Sequence, residues 1–251
     1  MVFCSCKRII DLQLGNNSGQ LVIEANVTNN LGPQYIKLSQ NVSLSNTNTY
    51  PPVTGAIVTV TDPNGNSFTF TEGPSGTYTN QTLVGKPGST YNMSVITNGK
   101  TYTASSTMPD FVSLDSITYK NDNFSNKAGE KLITVHFQDP ANTPNQYKFL
   151  LFVNKKQVKG IFALDDEFTD GRYVNLDFQQ NDIDIFPGDT VNVEMDCIDK
   201  NMYTYWFSLE QQQVNGPGGG VTPSNPPTNI TPAVLGYFSA HTTQTRTLIV
   251  K

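Results

Sequence analysis

Residues 52–80, PVTGAIVTVTDPNGNSFTFTEGPSGTYTN, constrain the fold of this 251-residue chain more than any other stretch. Residues 56–61 and 68–71 alternate between two faces, which is the period of a β-strand. Turn sequences follow them, Asp-Pro-Asn-Gly from Asp62 and Gly-Pro-Ser-Gly from Gly73. The stretch therefore predicts three short strands joined by tight turns, as in a small antiparallel β-sandwich.

The same pattern extends along the first part of the chain. Strand patterns occupy residues 21–27 and 34–39, and two further ones meet at Asn98-Gly99. Asn-Gly between alternating runs is the strongest short hairpin signal, because a type I′ turn requires positive φ at both central residues. About seven strands at this spacing predict an immunoglobulin-like sandwich over residues 20–110.

Strand patterns restart after Pro109-Asp110, which predicts a domain boundary there and a second β-rich domain at 111–251. One helix is predicted at 201–213, because its apolar residues recur at the spacing i, i+3, i+4 and i+7. A glycine- and proline-rich loop at 215–231 follows, and two closing strands are predicted at 236–241 and 245–250. The expected fold class is all-β and mainly antiparallel, with two sandwich-like domains after a linker at 1–19.

Composition excludes several classes of function. The net charge of −5 and the lack of a basic stripe argue against nucleic-acid binding. The two histidines, His136 and His241, have no second ligand at zinc spacing. The sequence also lacks a nucleophile elbow and a phosphate-binding glycine loop. We therefore expect a protein that is not an enzyme and has no cofactor.

One dense acidic cluster stands out as a possible site. Its carboxylates could supply oxygen ligands to calcium, although their spacing does not fit an EF-hand. The candidate ligands are Asp165, Asp166, Glu167 and Asp170. The sequence favours a simpler interpretation, a solvated hairpin loop in which Asp170-Gly171 makes the turn.

A hydrolase is a weaker alternative for the same region. Glycoside hydrolysis requires two carboxyl groups at short distance, one of them with a raised pKa. The sequence offers four aspartates for such a pair but gives no sign of the burial that would raise one pKa. They are Asp165, Asp166, Asp182 and Asp184.

The amino-terminal residues allow two interpretations. Ser5-Cys6 followed by a polar segment is similar to the cleavage site of bacterial lipoproteins, in which the cysteine becomes the lipidated first residue. An apolar signal segment would then precede it. The alternative is an ordinary amino terminus with two incidental cysteines. The third cysteine, Cys197, lies within a predicted strand and is expected to be a small buried residue.

Several segments in order resemble one known family. They are Ser5-Cys6-Lys7, Leu21-Val22-Ile23-Glu24-Ala25, Pro52-Val53-Thr54-Gly55-Ala56, Phe168-Thr169-Asp170-Gly171, Phe186-Pro187-Gly188-Asp189 and Leu235-Gly236-Tyr237-Phe238. Over essentially the whole chain they look like DUF4249, a family of unknown function made up of Bacteroidota lipoproteins. The stretch at 52–80 also resembles carboxypeptidase-regulatory-like and immunoglobulin-like modules.

The resemblance implies a lipid anchor on Cys6 and residence at the outer membrane. It also implies pairing with a TonB-dependent receptor of the starch-utilisation type. It transfers no catalytic residues. Surface export in this phylum favours acidic residues after the lipidated cysteine, whereas Lys7 and Arg8 follow here. The periplasmic and surface faces of the membrane are therefore both open.

The leading functional hypothesis is thus a non-enzymatic, lipid-anchored accessory protein of a nutrient-uptake receptor. The alternative is a stand-alone module that binds glycans or peptides through exposed aromatic side chains. The candidate stacking residues are Tyr35, Tyr50, Tyr78 and Tyr173.

Overall fold

The computed structural model describes residues 18–43, 49–123, 125–180, 182–213 and 224–251. Three sequence predictions fall wholly or partly outside these ranges: the anchor Cys6, the linker at 1–19 as far as residue 17, and the loop at 215–231 as far as residue 223. The described end of that loop is not wholly irregular, because Ile230–Thr231 forms a short strand.

The described residues form fifteen strands and one α-helix. Their bounds are β1 Leu21–Thr28, β2 Gln34–Gln40, β3 Ile57–Thr61, β4 Ser67–Glu72, β5 Thr77–Asn80, β6 Thr90–Thr97, β7 Lys100–Thr107, β8 Leu114–Asn121, β9 Lys131–Gln138, β10 Gln146–Val153, β11 Lys156–Asp165, β12 Tyr173–Asp177, β13 Thr190–Ile198, α1 Lys200–Gln213, β14 Ile230–Thr231 and β15 Leu235–Ile249. The all-β class with one helix is therefore confirmed.

The strands form two sheets. The larger has twelve strands in the order β11-β10-β13-β15-β1-β2-β5-β4-β3-β6-β7-β14, and the smaller has three in the order β12-β9-β8. All pairs are antiparallel except β1 with β15, which run parallel. Non-sequential neighbours such as β13-β15-β1 bring distant segments of the chain together.

Local signals in the sequence are confirmed where they are strongest. The three strands of residues 52–80 are β3, β4 and β5. At the hairpin between β6 and β7, Asn98 and Gly99 have φ of 50° and 70°, as a type I′ turn requires. The predicted helix is α1, whose Met202 and Tyr205 are buried against Tyr237 of β15.

A first hydrophobic core lies between the β1–β2 part of the large sheet and its β3–β6–β7 part. It buries alternate residues of these strands, including Ile23, Leu38, Val58 and Met93, all nearly inaccessible to solvent. The large sheet curls through β5 and β4 to close around this core, which gives the sandwich-like arrangement.

A second core lies between the small sheet and the β10–β13 part of the large one. Phe137, Tyr147 and Phe149 pack as neighbouring aromatic rings at its centre. Cys197 is buried here, as predicted. The buried residues of the first core lie before residue 110 except for Ile230, Phe238 and Ala240, and those of the second core lie after it.

Strand β15 belongs to both cores. Its Phe238 and Ala240 are buried in the first core, whereas its Leu248 packs against the second. The sequence had predicted two closing strands here, but Leu235–Ile249 is one continuous strand. The division into domains at 20–110 and 111–251 stays a prediction.

The segment around Asp170-Gly171 differs from its sequence prediction. The predicted hairpin at Asp170-Gly171 is wrong, because β11 pairs with β10 and β12 pairs with β9, in different sheets.

Within the described part of the chain, no helix has the length and apolar character needed to cross a bilayer.

Candidate functional site

One face of the large sheet carries polar and charged side chains where four of its strands lie side by side. Cross-strand pairing aligns Lys148 of β10 with Asp196 of β13 and Asp196 with Thr243 of β15. Glu194 lies one row along, opposite Thr245. Because side chains two residues apart on a strand share a face, these residues lie on the side away from the two cores.

A pocket of 570 Å³ opens on this face, and we call it the strand-face pocket. Its floor includes Lys148, Glu194 and His241, and its rim includes Leu31 and Tyr35 from the β1–β2 connection. Pockets of this size with a few convergent polar groups and perturbed pKa values are the usual places for ligand binding.

A buried ion pair lies at the floor of the pocket. The Nζ atom of Lys148 is 2.6 Å from Oδ2 of Asp196, with side chains 9% and 0% exposed. Burial favours the neutral form of each group, but mutual attraction outweighs it, so the pKa of Lys148 is raised and the pKa of Asp196 is lowered. Both groups are charged at neutral pH. The Lys148 ammonium also lies 5.1 Å from the centre of the Trp206 ring on α1.

His241 is the third titratable group of this cluster. Its Nε2 atom is 3.8 Å from Asp196 Oδ2, and its Nδ1 atom is 2.9 Å from the hydroxyl oxygen of Ser239. Burial lowers the pKa of His241, against the attraction of Asp196. The ring is therefore neutral at neutral pH. Serine, histidine and aspartate are the residue types of a hydrolytic triad, but Ser239 is 2% exposed and does not line the pocket.

Glu194 is the remaining charged group on the pocket floor. Among the residues that the structure describes, it forms no ion pair. Burial raises the pKa of Glu194, and the nearby Asp196 carboxylate adds to this shift, against the attraction of Lys148. Among the described lining residues, Glu194 is thus an acidic group without an ion-pair partner, and a bound cation would favour its ionised form.

The rim of the pocket is held by side chains of the β1–β2 connection. Gln34 is 2% exposed, and its Oε1 atom accepts a hydrogen bond of 2.7 Å from the backbone N–H of Thr28. Asn29 accepts a hydrogen bond of 2.8 Å from the backbone N–H of Thr243, which ties the connection to β15. Leu31 lies between Asn29 and Gln34 in the sequence and is 90% exposed, so the rim of this polar pocket includes an apolar side chain.

The acidic cluster of the sequence analysis lies elsewhere and is only partly assembled as expected. Asp166 and Asp170 come together with Asp139, each offering a carboxylate oxygen within 4.8 Å of the others. Their oxygens already accept backbone N–H groups, from Asn145 for Asp166 and from Asn142 for Asp170. Burial raises the pKa of Asp139, whose carboxylate accepts the hydroxyl of Tyr147. This cluster ties two loops together, and calcium binding there stays a prediction.

The other acidic candidates have different partners. Asp165 accepts a hydrogen bond from the backbone N–H of Glu167, 2.9 Å away, at the start of a short 3-10 helix. Asp182 pairs with Lys159 at 3.1 Å, and the hydrogen bond from that lysine lowers the pKa of Asp182. Asp184 pairs with Lys127 at 2.6 Å. The lowered pKa of Asp182 favours its ionised form, whereas a glycosidase acid needs a raised pKa.

The four tyrosines considered for sugar stacking separate into two groups. Tyr35, Tyr50 and Tyr173 are exposed, but of these only Tyr35 lines the strand-face pocket. Tyr78 does not fit the hypothesis, because it is fully buried and its hydroxyl donates to the carbonyl of Val53. The alternation of β5 places Tyr78 in the first core rather than on the surface.

Sequence analysis missed the pocket, although a weak signal was present. Glu24 and Asn26 interrupt the apolar pattern of β1, Lys148 interrupts that of β10, and Glu194 and Asp196 interrupt that of β13. In β1 and β13 the interruptions fall at alternate positions, which indicates one polar face in each of these strands. Only the strand order β10-β13-β15-β1 shows that these faces are continuous.

Comparisons with solved structures find weak likenesses to bacterial adhesins. The Yersinia pseudotuberculosis adhesin InvE is 19% identical over 70% of this chain, with a TM-score of 0.21. A 1.5-MDa bacterial ice-binding adhesin, from a structure described in terms of host cell surface retention, is 10% identical over 94% of this chain, also with a TM-score of 0.21. The chain spans 55% and 66% of those two chains, and neither likeness supports an inference about function.

No curated protein matches this chain. The sequence model of one family, described as a domain of unknown function, matches residues 7–247, which is nearly the whole length. The chain therefore belongs to the DUF4249 family, as its ordered sequence segments had indicated.

Proposed function

We propose that this protein is a non-enzymatic binding protein of the cell envelope that captures a polar ligand in the strand-face pocket. The observation that carries the proposal is the pocket itself, 570 Å³ in volume and floored by a buried ion pair. Buried charges on a sheet face are costly, and apolar residues there would serve stability equally well. Their presence under an open pocket is expected of a binding site.

The contents of the pocket favour binding over catalysis. A nucleophile must be reached by the substrate, and the serine beside His241 is covered. Lys148, the one permanent cation among the described lining residues, is already paired with Asp196. Apart from Leu31 and Pro33 on the rim, the side chains that remain accessible are hydroxyls, amides, one carboxylate and an aromatic ring, and these are groups that orient a polar ligand.

A substitution at the mouth of the pocket tests this proposal. Thr245 is exposed and lines the pocket, so Thr245→Trp should obstruct it without disturbing a core. Thr247 is exposed two residues along the same strand and does not line the pocket, which makes Thr247→Trp the matched control. We expect ligands found by screening the purified protein on peptide and glycan arrays to lose binding only with Thr245→Trp. Equal binding by both variants would contradict the proposal.

Anchoring through Cys6 belongs to the same proposal. It rests on the Ser5-Cys6 context and on the resemblance stated above. A single acyl chain binds a membrane only marginally, whereas several chains hold a protein firmly. In the native organism, Cys6→Ala should move the protein from the membrane fraction to the soluble fraction. Retention in the membrane fraction would contradict the anchor.

The partner that we propose is a TonB-dependent outer-membrane receptor. Purification of the tagged protein from native membranes in mild detergent should bring such a receptor along at a ratio near one to one. Recovery of the protein alone would contradict the partnership and leave a stand-alone binding module. The Thr245→Trp variant separates the two functions, because it should lose the ligand and keep the receptor.

A further inference from the structure

The charge balance of the strand-face pocket gives more information about its ligand. Lys148 and Asp196 neutralise each other at 2.6 Å, and burial keeps the ring of His241 neutral by lowering its pKa. Of the described residues that line the pocket, Glu194 is the only carboxylate. The carboxyl group of Glu194 is therefore the acidic group on the floor that is left for a cationic ligand to pair with.

The carboxylate of Glu194 is well placed for this role. It lies between Leu150 and Thr245 in the cross-strand row, one row from the Lys148–Asp196 pair. It is half-buried, and it forms no ion pair with any residue that the structure describes. A partly desolvated carboxylate attracts a cation more strongly than an exposed one, because water screens the charge less.

The rim indicates what surrounds that cation. Leu31 is 90% exposed and Tyr35 is 53% exposed, and Pro33 lies between them on the pocket wall. If the cationic group of a ligand is bound at Glu194, the parts of the ligand next to that group would lie against these apolar surfaces. A peptide in which apolar residues flank a basic side chain matches this arrangement.

We propose that the strand-face pocket binds a peptide segment by its lysine or arginine side chain, with Glu194 as the counter-ion and Leu31 and Tyr35 as the apolar rim. This inference rests on the proposed function and adds the ligand class to it. Bidentate hydrogen bonding to the carboxylate is possible for arginine, whereas lysine contributes a point charge.

The test uses two synthetic peptides and the purified full chain. The first is acetyl-Ala-Leu-Lys-Leu-Ala-amide, and the second has glutamine in place of lysine. We expect the lysine peptide to bind about tenfold more tightly than the glutamine peptide in calorimetry, as one partly desolvated charge pair provides. Raising the salt concentration should weaken the lysine peptide more than the glutamine peptide.

Variants assign this preference to one side chain. Glu194→Gln should bring the two peptides to nearly equal affinity, while its thermal unfolding stays cooperative. Glu167→Gln removes the same charge from an exposed residue outside the pocket, and it should keep the tenfold preference. Tyr35→Ala should weaken both peptides alike, because the rim contacts their apolar residues.

Three results would overturn the inference: equal binding of the two peptides by the unmodified protein, a preference that survives Glu194→Gln, or no binding of the lysine peptide. Each is distinguishable from failure of the proposed function. A glycan that binds and is lost with Thr245→Trp would leave the pocket as a binding site and remove only the peptide assignment. Failure of Thr245→Trp to affect any ligand would remove both.

Discussion

Lys148 and Asp196 remain charged although both are buried, with Asp196 completely inaccessible to solvent. Removing two charges from water costs several kcal/mol for each ion, and attraction at 2.6 Å repays this only when the geometry is good. Trp206 and His241 lie beside the pair. The pair holds β10 and β13 together at the floor of the strand-face pocket, so its loss would affect both stability and ligand binding.

Breaking this pair should be strongly destabilising. Asp196→Asn leaves the Lys148 ammonium buried without a counter-charge, and we expect the free energy of unfolding to fall by about 3–5 kcal/mol. Urea unfolding followed by tryptophan fluorescence would measure the change, since Trp206 lies against Lys148. The double replacement of Lys148→Met and Asp196→Leu should lower the free energy of unfolding by clearly less than Asp196→Asn does.

A surface ion pair provides the control for that measurement. Lys120 and Asp177 are 2.5 Å apart, but their side chains are 55% and 33% exposed. Lys120→Met should change the free energy of unfolding by only about 0–1 kcal/mol. A similar loss from Asp196→Asn and Lys120→Met would show that burial of the Lys148–Asp196 pair is not what determines its contribution.

His241 should make stability depend on pH in the weakly acidic range. Burial lowers its pKa in the folded state, with Asp196 opposing and Lys148 reinforcing the shift, whereas in the unfolded chain the pKa is near 6.5. Between these two pKa values the unfolded state binds more protons, so stability must fall as the pH decreases. We expect this loss to begin as the pH falls through about 6.5.

Comparison with a variant isolates this contribution. Glu194 acts in the opposite direction, because its raised pKa makes stability fall as the pH rises above its ordinary value of 4.5. His241→Gln keeps Glu194 and removes only the imidazole. Urea unfolding at a series of pH values between about 7 and 5 should show a shallower slope for His241→Gln than for the unmodified protein. Equal slopes would contradict the assignment to His241.

At the scale of elements, the backbones of β15 and β1 approach each other unusually closely at the start of β15. Gly236 has φ of +98°, and a Cβ atom there would lie 1.9 Å from the backbone oxygen of Ile23. Both backbone strain and a clash with backbone therefore exclude any other residue. Gly236→Ala should separate β15 from β1 at the start of their parallel pairing and lower the free energy of unfolding by about 2–4 kcal/mol.

The hairpin glycine gives the matched comparison. Gly99 has φ of +70°, but a Cβ atom there would meet nothing within 4 Å. Gly99→Ala should therefore cost only about 1 kcal/mol, which is the strain of positive φ without a clash. Chemical unfolding of the two variants would separate the two effects, and equal losses would show that the contact with Ile23 adds nothing.

The elements that could be predicted from the sequence are those with local signals. Alternation defines β3 and β4, Asn98-Gly99 defines a hairpin, and the i, i+3, i+4 pattern defines α1. The error at Asp170-Gly171 has a physical reason. Turn residues show that the chain bends there, but they do not show that β11 and β12 then enter different sheets.

The strand-face pocket could not be predicted in the same way. Its floor combines Lys148 of β10, Glu194 of β13 and His241 of β15, and these strands are far apart in sequence. The adjacency of such strands is fixed by long-range packing rather than by local preference. Each polar residue seen alone fits an exposed strand face, and the pattern within one strand does not show which other strands lie beside it.

At the scale of the whole molecule, β15 makes the two halves depend on each other. Its first part pairs with β1 and buries Phe238 and Ala240 in the first core, and its later part pairs with β13. The first core also takes Ile230 from β14, which pairs with β7. Residues from the last part of the chain thus complete a core that otherwise belongs to residues before 110.

This arrangement predicts that residues 18–110 do not fold alone. Without β15 the strand β1 has an unpaired edge, and the apolar side chains around Phe238 face water, so the remaining core is open on one side. We expect the isolated fragment to show no cooperative urea transition by circular dichroism. Linking residues 228–242 to it through a long glycine-serine segment should restore that transition, because β14 and the first part of β15 then return. Cooperative unfolding of residues 18–110 alone would instead show that the first core is complete without β15, and the predicted boundary at 110 would then mark an independent domain.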